Sequence, residues 1–391
     1  MPERATITPS VIKWARERAK LDLATAADKI GTKKERLELW EKGEALPTLN
    51  QAMIMSKLYR RSLSVFYLPE PPTDFQTLRD FRRMKEKKDY STGLMFIMRE
   101  VQERQQWMKD FLMEEEEEPL PFIGKFSHQD NVKKVASDII STLEIENDIN
   151  QKDRLKYWIQ KAEEKRIFIS LGSNIHSYMV FDVNEFRGFA ISDSLAPFIF
   201  INTKDAKQAQ LFTLVHELAH LWIGESGVSK EIVTEFRELN PDEIEPEELF
   251  CNSVAAEVLM PEDPIKTYIS TWHDLSLDRI DQLAKKLQLS SKAILVRLSK
   301  LGKISTQSYN HFWNEIEVRN KQWEIDNEKK TKDDDEGFPP PYLLKLRKCG
   351  YAFTNIVVGS YKSGRLSGVE ASTLLDMKLN KLPKIEKYLY V

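Results

Sequence analysis

A short histidine motif inside an apolar stretch constrains this chain of 391 residues more than any other feature. From Leu211 to Ile223 the apolar residues recur at helical spacing, which predicts a helix with buried packing. His216 and His220 are one turn apart, so both imidazoles leave the same face and can hold one cation. Glu217 projects beside them, where it can take a proton from a water molecule that the cation activates. This pattern is typical of zinc hydrolases.

The flanking residues favour a core position for this helix. The apolar run from Pro197 to Ile201 predicts a buried strand just before it. Asn202 or Thr203 is suited to cap the start of the helix, and Gly224 is suited to close its end. The alternative, a surface helix with two unrelated histidines, fits these apolar flanks less well.

A downstream segment offers the third protein ligand that a zinc hydrolase needs, the fourth position being kept for water. Pro246 suits a first helical turn and Pro261 ends the element, which predicts a second helix between them. Glu248 lies on the side of that helix where small residues permit close approach, and we expect it to be the third ligand. The adjacent Glu247 fits a solvated first turn better.

Several nearby residues can be interpreted either as structural or as functional. Asn252 follows Glu248 by one turn and is placed to orient that carboxylate as an outer partner, because a helix-interior asparagine otherwise has little reason to be there. Cys251 fits a small buried apolar residue better than a functional one. The remaining histidines follow no ligand spacing and are expected at the surface or in the core: His128, His176, His273 and His311.

Taken together, these motifs resemble the ImmA/IrrE family of bacterial metallo-endopeptidases. The resemblance is carried by the stretch from Phe212 to His220, by Glu248 followed by Cys251-Asn252, and by Leu259-Met260-Pro261, in that order. It covers about residues 165 to 305.

The resemblance implies a set of roles. His216, His220 and Glu248 bind zinc as Zn2+, and Glu217 is the general base. Members of the family cut repressors of the helix-turn-helix class and thereby release genes of mobile elements or stress responses. The substrate class follows from the resemblance alone, whereas the metal site also has its own motif.

The stretch from Phe186 to Ser192 alternates as an edge strand does. A substrate peptide could pair with it at Gly188 and Phe189 by main-chain hydrogen bonds, and an ordinary inner strand is the alternative. Tyr178 and Arg187 are further candidates for stabilising an oxyanion.

Near its start the chain predicts a second unit of short helices, with a turn at Gly31 and breaks at Gly43 and Pro47. The order resembles the Xre/Cro repressor family, whose second motif helix enters the major groove of DNA. The predicted helices are 11–20, 23–30, 33–41 and 49–59.

Basic residues of the predicted recognition helix are the candidates for DNA contact: Lys33, Lys34 and Arg36. Glu35 and Glu38 on the same helix oppose the field of the phosphates. A helix-turn-helix fold retained for protein contacts is therefore the alternative.

These elements predict an α+β protein with four parts. We expect an all-α Xre-like helix-turn-helix domain over 1–70 and a helical connecting region over 71–165. A zincin-like metallopeptidase core, with a small sheet and the motif helix, follows over 166–305. A linker and a small helical module complete the chain over 306–391, where Ser367 and Glu370 predict a capping box.

Composition limits the setting of such a protein. The formal net charge is -3, so any affinity for DNA must come from a local basic patch. The chain has only two cysteines, which makes a disulfide framework unlikely to be its scaffold. It also lacks an apolar stretch of membrane-spanning length. We therefore expect a cytoplasmic protein without membrane contact.

The sequence thus favours a zinc-dependent endopeptidase that cleaves a protein, a transcriptional repressor by the resemblance, to switch on a mobile-element, stress or defence operon. The alternative is an antitoxin-like regulator that binds DNA or a cognate toxin and whose metal site is not proteolytic. Replacing Glu217 by Gln separates the two, because only the first function needs the base.

Overall fold

The computed structural model describes residues 3–19, 21–59, 61, 63–71, 91–146, 148–176, 179–183, 185–229, 245–270, 275–330 and 340–389. The chain folds into two compact units, residues 1–100 with 175–179 and residues 101–174 with 180–391. Tyr178, His273 and most of the predicted linker around residues 329–341 lie outside the described residues.

Short helices build the first unit, and the four predicted ones are confirmed with ends shifted by about two residues at most. Asp22 begins the second helix by accepting hydrogen bonds from the N–H groups of Ala24 and Thr25. Gly31 and Gly43 end the second and third helices in the left-handed conformation, which glycine adopts without strain. The helices are α1 (Pro9–Arg18), α2 (Leu23–Ile30), α3 (Lys34–Lys42) and α4 (Leu49–Tyr59).

A buried ion pair joins α1 to α3. The Arg16 guanidinium donates from Nε to Glu41 Oε1 at 2.7 Å and from Nη2 to Glu41 Oε2 at 2.8 Å. Its Nη1 donates to the carbonyl of Leu21 at 2.8 Å. The hydrogen bond with Glu41 raises the pKa of Arg16 against the opposing effect of burial. Both charges are therefore fully paired within this unit.

A four-stranded sheet with the order β1-β5-β4-β6 lies at the centre of the second unit. Strands β1 and β5 run parallel, and β4 is antiparallel to both β5 and β6. The strands are β1 (Phe168–Gly172), β4 (Gly188–Ile191), β5 (Phe198–Asn202) and β6 (Gly227–Ser229), and a separate pair is formed by β2 (Asn174–His176) and β3 (Met179–Val180).

Helices cover both faces of this sheet, which confirms the predicted α+β class. From residue 92 onward the described α-helices are α5 (Thr92–Glu114), α6 (Val132–Thr142), α7 (Arg154–Glu164), α8 (Lys207–Trp222), α9 (Pro246–Leu259), α10 (Glu262–Ile269), α11 (Leu277–Leu287), α12 (Ser291–Lys300), α13 (Thr306–Lys330), α14 (Pro341–Cys349), α15 (Tyr351–Lys362), α16 (Gly368–Leu374) and α17 (Leu382–Leu389). A membrane-crossing helix needs about 20 apolar residues, and none in the described part of the chain meets that requirement.

One face of the sheet packs against α7 and α8 in a continuous apolar core. Ile169 and Ile199 of the sheet share this core with Trp158 of α7 and Leu214 of α8. Residues of α6 belong to it as well, so both α6 and α7, which precede the sheet in the chain, contribute to its core. Apolar residues of α11 and α12 also lie in this core, so this helix pair packs onto the domain.

The opposite face of the sheet is a layer of aromatic rings. Phe168 and Phe198 stack with ring centroids 4.9 Å apart. Phe353 of α15 packs edge-on against Phe198, with ring centroids 6.0 Å apart. Trp107 of α5 packs edge-on against Phe353 at 5.8 Å. The C-terminal helices thus complete the core of this unit.

Side-chain hydrogen bonds stabilise the starts of two C-terminal helices, α15 and α16. At the first, the Glu163 carboxylate of α7 accepts from the backbone N–H of Ala352 at 3.2 Å and so caps the start of α15. Gly350 precedes that helix with φ +88°, and a β-carbon there would overlap the carbonyl oxygen of Ile169. The second junction is the predicted capping box of Ser367 and Glu370, which is confirmed at the start of α16.

Candidate metal centre

Helix α8 is buried on every side from Gln210 to Trp222, which is how a helix in the interior of a domain behaves. It begins at Lys207, after the predicted cap residues, with Ala206 at the N-cap position. The prediction that Asn202 or Thr203 caps it is wrong. The Asn202 side chain instead donates to the Phe186 carbonyl at 3.1 Å and accepts from the Lys204 N–H at 3.0 Å, which ends β5.

Helix α9 runs beside α8 and begins at Pro246, as its sequence predicts. Glu248 in its first turn reaches both histidines of α8. Its Oε2 lies 3.1 Å from His216 Nε2, and its Oε1 lies 3.3 Å from His220 Nε2. The two Nε2 atoms are themselves 3.0 Å apart. One ligand atom from each of the three side chains therefore lies within 4.8 Å of the others.

These separations fit a single divalent cation. Bonds of about 2.0–2.1 Å around a tetrahedral zinc ion place neighbouring ligand atoms about 3.3 Å apart. Two imidazoles and one carboxylate are also the ligand set of catalytic zinc sites that leave a fourth position open. Geometry and chemistry of the donors therefore agree, and the three side chains His216, His220 and Glu248 could hold the metal.

Electrostatics within the cluster keep Glu248 ionised. Burial by itself raises the pKa of this carboxyl, but His220 and His216 outweigh burial and lower it. For His220, burial lowers the pKa, whereas Cys251 and Glu248 raise it and prevail. A negative oxygen is thus held between two imidazoles, and this charge favours a cation at the same place.

Glu217 lies next to this cluster on α8 and is completely buried. Strand β4 approaches it at Gly188, where a β-carbon would lie 3.1 Å from Glu217 Oε1 and 2.6 Å from Thr213 Cγ2. It would also lie 2.9 Å from the carbonyl oxygen of Phe200. Only glycine leaves room for α8 at this point, so Gly188 helps to place the glutamate.

Asn252 contacts a different side chain from the one predicted. Its Oδ1 lies 3.1 Å from His216 Nδ1, and both residues are buried. The expectation that Asn252 orients Glu248 is therefore wrong, although its place beside the cluster agrees with an outer supporting role. An acceptor at Nδ1 keeps the proton there and leaves Nε2 of His216 free to face a cation.

Family comparisons cover the same part of the chain. Residues 162–299 match the family model described as IrrE N-terminal-like domain, and residues 12–66 match the model described as helix-turn-helix. This chain joins an IrrE-like domain to a helix-turn-helix domain. Both predicted resemblances are thereby confirmed, and the first match encloses His216, His220 and Glu248. A comparison with curated proteins found no match.

The prediction that β4 is an edge strand to which a substrate peptide can add is wrong. Strand β4 has neighbours on both sides, because β6 pairs with it through Gly188 and Ser229 and through Phe189 and Val228. Phe189 is fully buried and stacks on Phe200 with ring centroids 5.2 Å apart. A peptide cannot add at this strand. Among the described strands, β6 forms the edge of the sheet on this side.

Other candidates in the IrrE-like domain lie apart from the three converging ligand atoms. Glu247 points to His128, with Oε1 and Nδ1 3.4 Å apart at the surface. This arrangement agrees with the solvated role expected for Glu247. Arg187 forms an ion pair with Asp205 at 2.5 Å, so its charge is already engaged. His311 is exposed on α13, near Glu315.

The basic residues predicted to contact DNA are exposed in the helix-turn-helix domain. Lys33 stands at the N-cap position of α3, and Lys34 and Arg36 follow in its first turn. Glu35 is exposed beside them. Glu38, also on this helix, pairs with Lys42 at 2.9 Å, which neutralises part of the unfavourable charge.

Proposed function

We propose that the IrrE-like domain is a metal-dependent endopeptidase that cleaves a protein substrate. The observation that carries this proposal is the convergence of His216, His220 and Glu248 next to the buried carboxylate of Glu217. The donor set favours Zn2+, which when bound would supply Lewis acidity at this point. The family match supports the same class of activity.

Residues of α8 and α9 have different roles in hydrolysis. Glu217 accepts the proton of the attacking water and then delivers it to the nitrogen of the leaving peptide. Its helix and the close approach of Gly188 hold it in place for both transfers. Asn252 keeps the proton of His216 on Nδ1, so that this imidazole presents Nε2 to the cluster.

The substrate that we propose is a repressor of the helix-turn-helix class. The resemblance to the ImmA/IrrE family supports this choice. Cleavage of such a repressor would switch on the genes that it silences. The helix-turn-helix domain of this chain would bring the peptidase to its target through DNA or through the repressor itself.

A cleavage assay with matched variants tests the proposal. The purified protein is incubated with a candidate substrate, a repressor of the helix-turn-helix class, with and without a metal chelator. We expect Glu217→Gln to lose cleavage by more than about 1,000-fold while it still binds metal. The control Glu247→Gln changes the partly exposed carboxylate next to Glu248 in the chain, and this variant should cleave normally. Cleavage that survives both the chelator and Glu217→Gln would exclude this mechanism.

A second candidate function is regulation by binding alone, as in an antitoxin-like regulator. The exposure of Lys33, Lys34 and Arg36 on α3 favours contact with DNA phosphates. Replacing all three by Ala should weaken operator binding and reduce its dependence on salt. Under this function Glu217→Gln keeps both repression and neutralisation of a cognate toxin, whereas under the first function it loses its cellular effect.

A further inference from the structure

Positive charge is concentrated in the C-terminal helices of this protein. Residues 340–391 contain nine lysine and arginine residues but only three aspartate and glutamate residues, which gives them a formal charge of +6. The whole chain has a formal net charge of -3, so the preceding residues are acidic as a group. Such an asymmetry is typical of a segment that contacts an anionic partner.

Part of this positive charge is neutralised by acidic neighbours. Lys345 pairs with Asp376 at 3.0 Å. Lys362 of α15 pairs with Glu386 of α17 at 2.9 Å. Glu386 is the single acidic residue in the sequence of α17. The one carboxylate of this helix is thus already engaged with a lysine of another helix.

Helix α17 has lysines on its exposed side. Leu382 and Ile385 of this helix are buried in the domain. Lys381, Lys384 and Lys387 are exposed, and their spacing of three residues places them on neighbouring turns of one side. Among the residues that the structure describes, none of the three forms an ion pair with a carboxylate. We call these three lysines the basic face of α17.

Two tyrosines lie beside the basic face, where α14 and α17 meet. Tyr388 follows Lys384 by one turn and is 39% exposed. Its ring centroid lies 5.8 Å from that of Tyr342 in α14, and the two hydroxyl oxygens are 3.3 Å apart at the surface. The rings pack against each other, so the pair offers its hydroxyl groups to a ligand more than open ring faces.

We propose that the basic face of α17, together with Tyr342 and Tyr388, binds the phosphate backbone of double-stranded DNA. Lysine and tyrosine side chains are common donors to DNA phosphates, and these contacts do not depend on base sequence. Proteins hold single strands in grooves where bases stack on open aromatic rings, whereas this face is the outer side of one helix. The helix-turn-helix match also gives the chain a domain of a class that binds duplex DNA. The inference goes beyond the proposed peptidase function and requires no metal.

Binding of the full-length protein to a labelled duplex of random sequence, measured by fluorescence anisotropy, tests this role. Replacing Lys381, Lys384 and Lys387 together by Gln should weaken binding at least about 10-fold at low salt. The slope of log affinity against log salt should decrease by about 2 to 3, because each phosphate contact contributes about one. Tyr342→Phe and Tyr388→Phe each remove only a hydroxyl and should weaken binding by about 3-fold.

Two controls separate this face from other sources of DNA binding. The first replaces by Gln three exposed lysines at other places in the domain: Lys156, Lys303 and Lys321. It removes the same charge and should bind the duplex within about 2-fold of the unaltered protein. The second adds the three substitutions of the basic face to the protein whose basic residues of α3 are replaced by Ala. Binding should fall there by the same factor, because independent contacts are additive.

Each outcome supports or overturns the proposal. Unchanged affinity and salt slope after the three basic-face substitutions would overturn it. An equal loss in the first control would also overturn it, because net charge would then explain the effect. A single strand of the same length and poly-glutamate are tested beside the duplex. If the basic face affects binding of either of these but not of the duplex, it serves another class of partner and the proposal is wrong. Melting temperatures show that each variant folds.

Discussion

The helix-turn-helix domain and the IrrE-like domain each bury a small polar cluster between helices, and the two clusters are built in opposite ways. In the first, Arg16 and Glu41 pair with each other through two hydrogen bonds of 2.7 and 2.8 Å. In the second, His216, His220 and Glu248 direct their ligand atoms to one point. The first cluster is complete as it stands, whereas the second gains most when a cation joins it. Convergence, more than burial, therefore distinguishes a site from a structural pair.

Breaking the Arg16–Glu41 ion pair should give the largest change in stability of the three predictions. Glu41→Ala leaves the Arg16 guanidinium buried without its counter-charge, and we expect this to lower the free energy of unfolding of the N-terminal unit by about 3 kcal/mol. Hydrogen exchange of the α1 and α3 amides measures the loss. Glu38→Ala on the same helix removes an exposed pair with Lys42 and should change little. Zn2+ affinity should be normal in both variants, and equal protection in all three proteins would contradict the comparison.

Removing one member of the cluster of His216, His220 and Glu248 should affect metal binding more than stability. Glu248→Ala removes a proposed ligand, so Zn2+ affinity should fall by more than about 100-fold, beyond the range of outer-partner variants. The rise in melting temperature on adding Zn2+ should disappear, because a ligand stabilises a fold only in proportion to its binding. The metal-free protein should lose little stability. Calorimetry with and without Zn2+ measures both quantities, and Glu247→Ala is the neighbouring control. A large loss in the metal-free state would make Glu248 a structural residue like Glu41.

Glu163 is an intermediate case, a partly buried carboxyl that caps α15. Burial raises its pKa to about 7, against the lowering effect of the hydrogen bond from Ala352. The folded protein therefore holds a proton that the unfolded chain releases at lower pH, so this group's contribution to stability falls as pH rises from about 4.5 to 7. Above that range the contribution is constant.

Substitution of this carboxyl should give the smallest of the three effects. Glu163→Gln cannot ionise, so its melting temperature should fall less between pH 5 and pH 8 than that of the unaltered protein. Melting curves across this pH range measure the difference. The adjacent Glu164 is exposed, and Glu164→Gln should retain the original pH dependence. A steeper fall in Glu163→Gln than in the unaltered protein would reverse the sign and contradict this account.

Local sequence signals predicted much of both clusters. Glycine stops and apolar spacing located the helices of the first unit, because helix ends depend on nearby residues. The spacing of His216 and His220 predicted their common face, and Pro246 located the start of the helix that carries Glu248. These features need only a few neighbouring residues, so a single sequence was enough to find them.

The features that the sequence missed depend on how distant elements pack. Rotation of α9 against α8 decides whether Asn252 meets Glu248 or His216, and periodicity does not determine it. Strand β6 has only three residues, too few for a recognisable alternation, so β4 was predicted to be an edge.

The aromatic layer on the sheet bears on how this protein can be divided for expression. The family match ends at residue 299, but Phe353 lies beyond it and packs against Phe198, which in turn stacks on Phe168. Trimming the gene to the matched range would leave these rings facing solvent, and an exposed apolar patch of this kind promotes aggregation. A soluble fragment therefore has to retain the final helices, even though the family description does not include them.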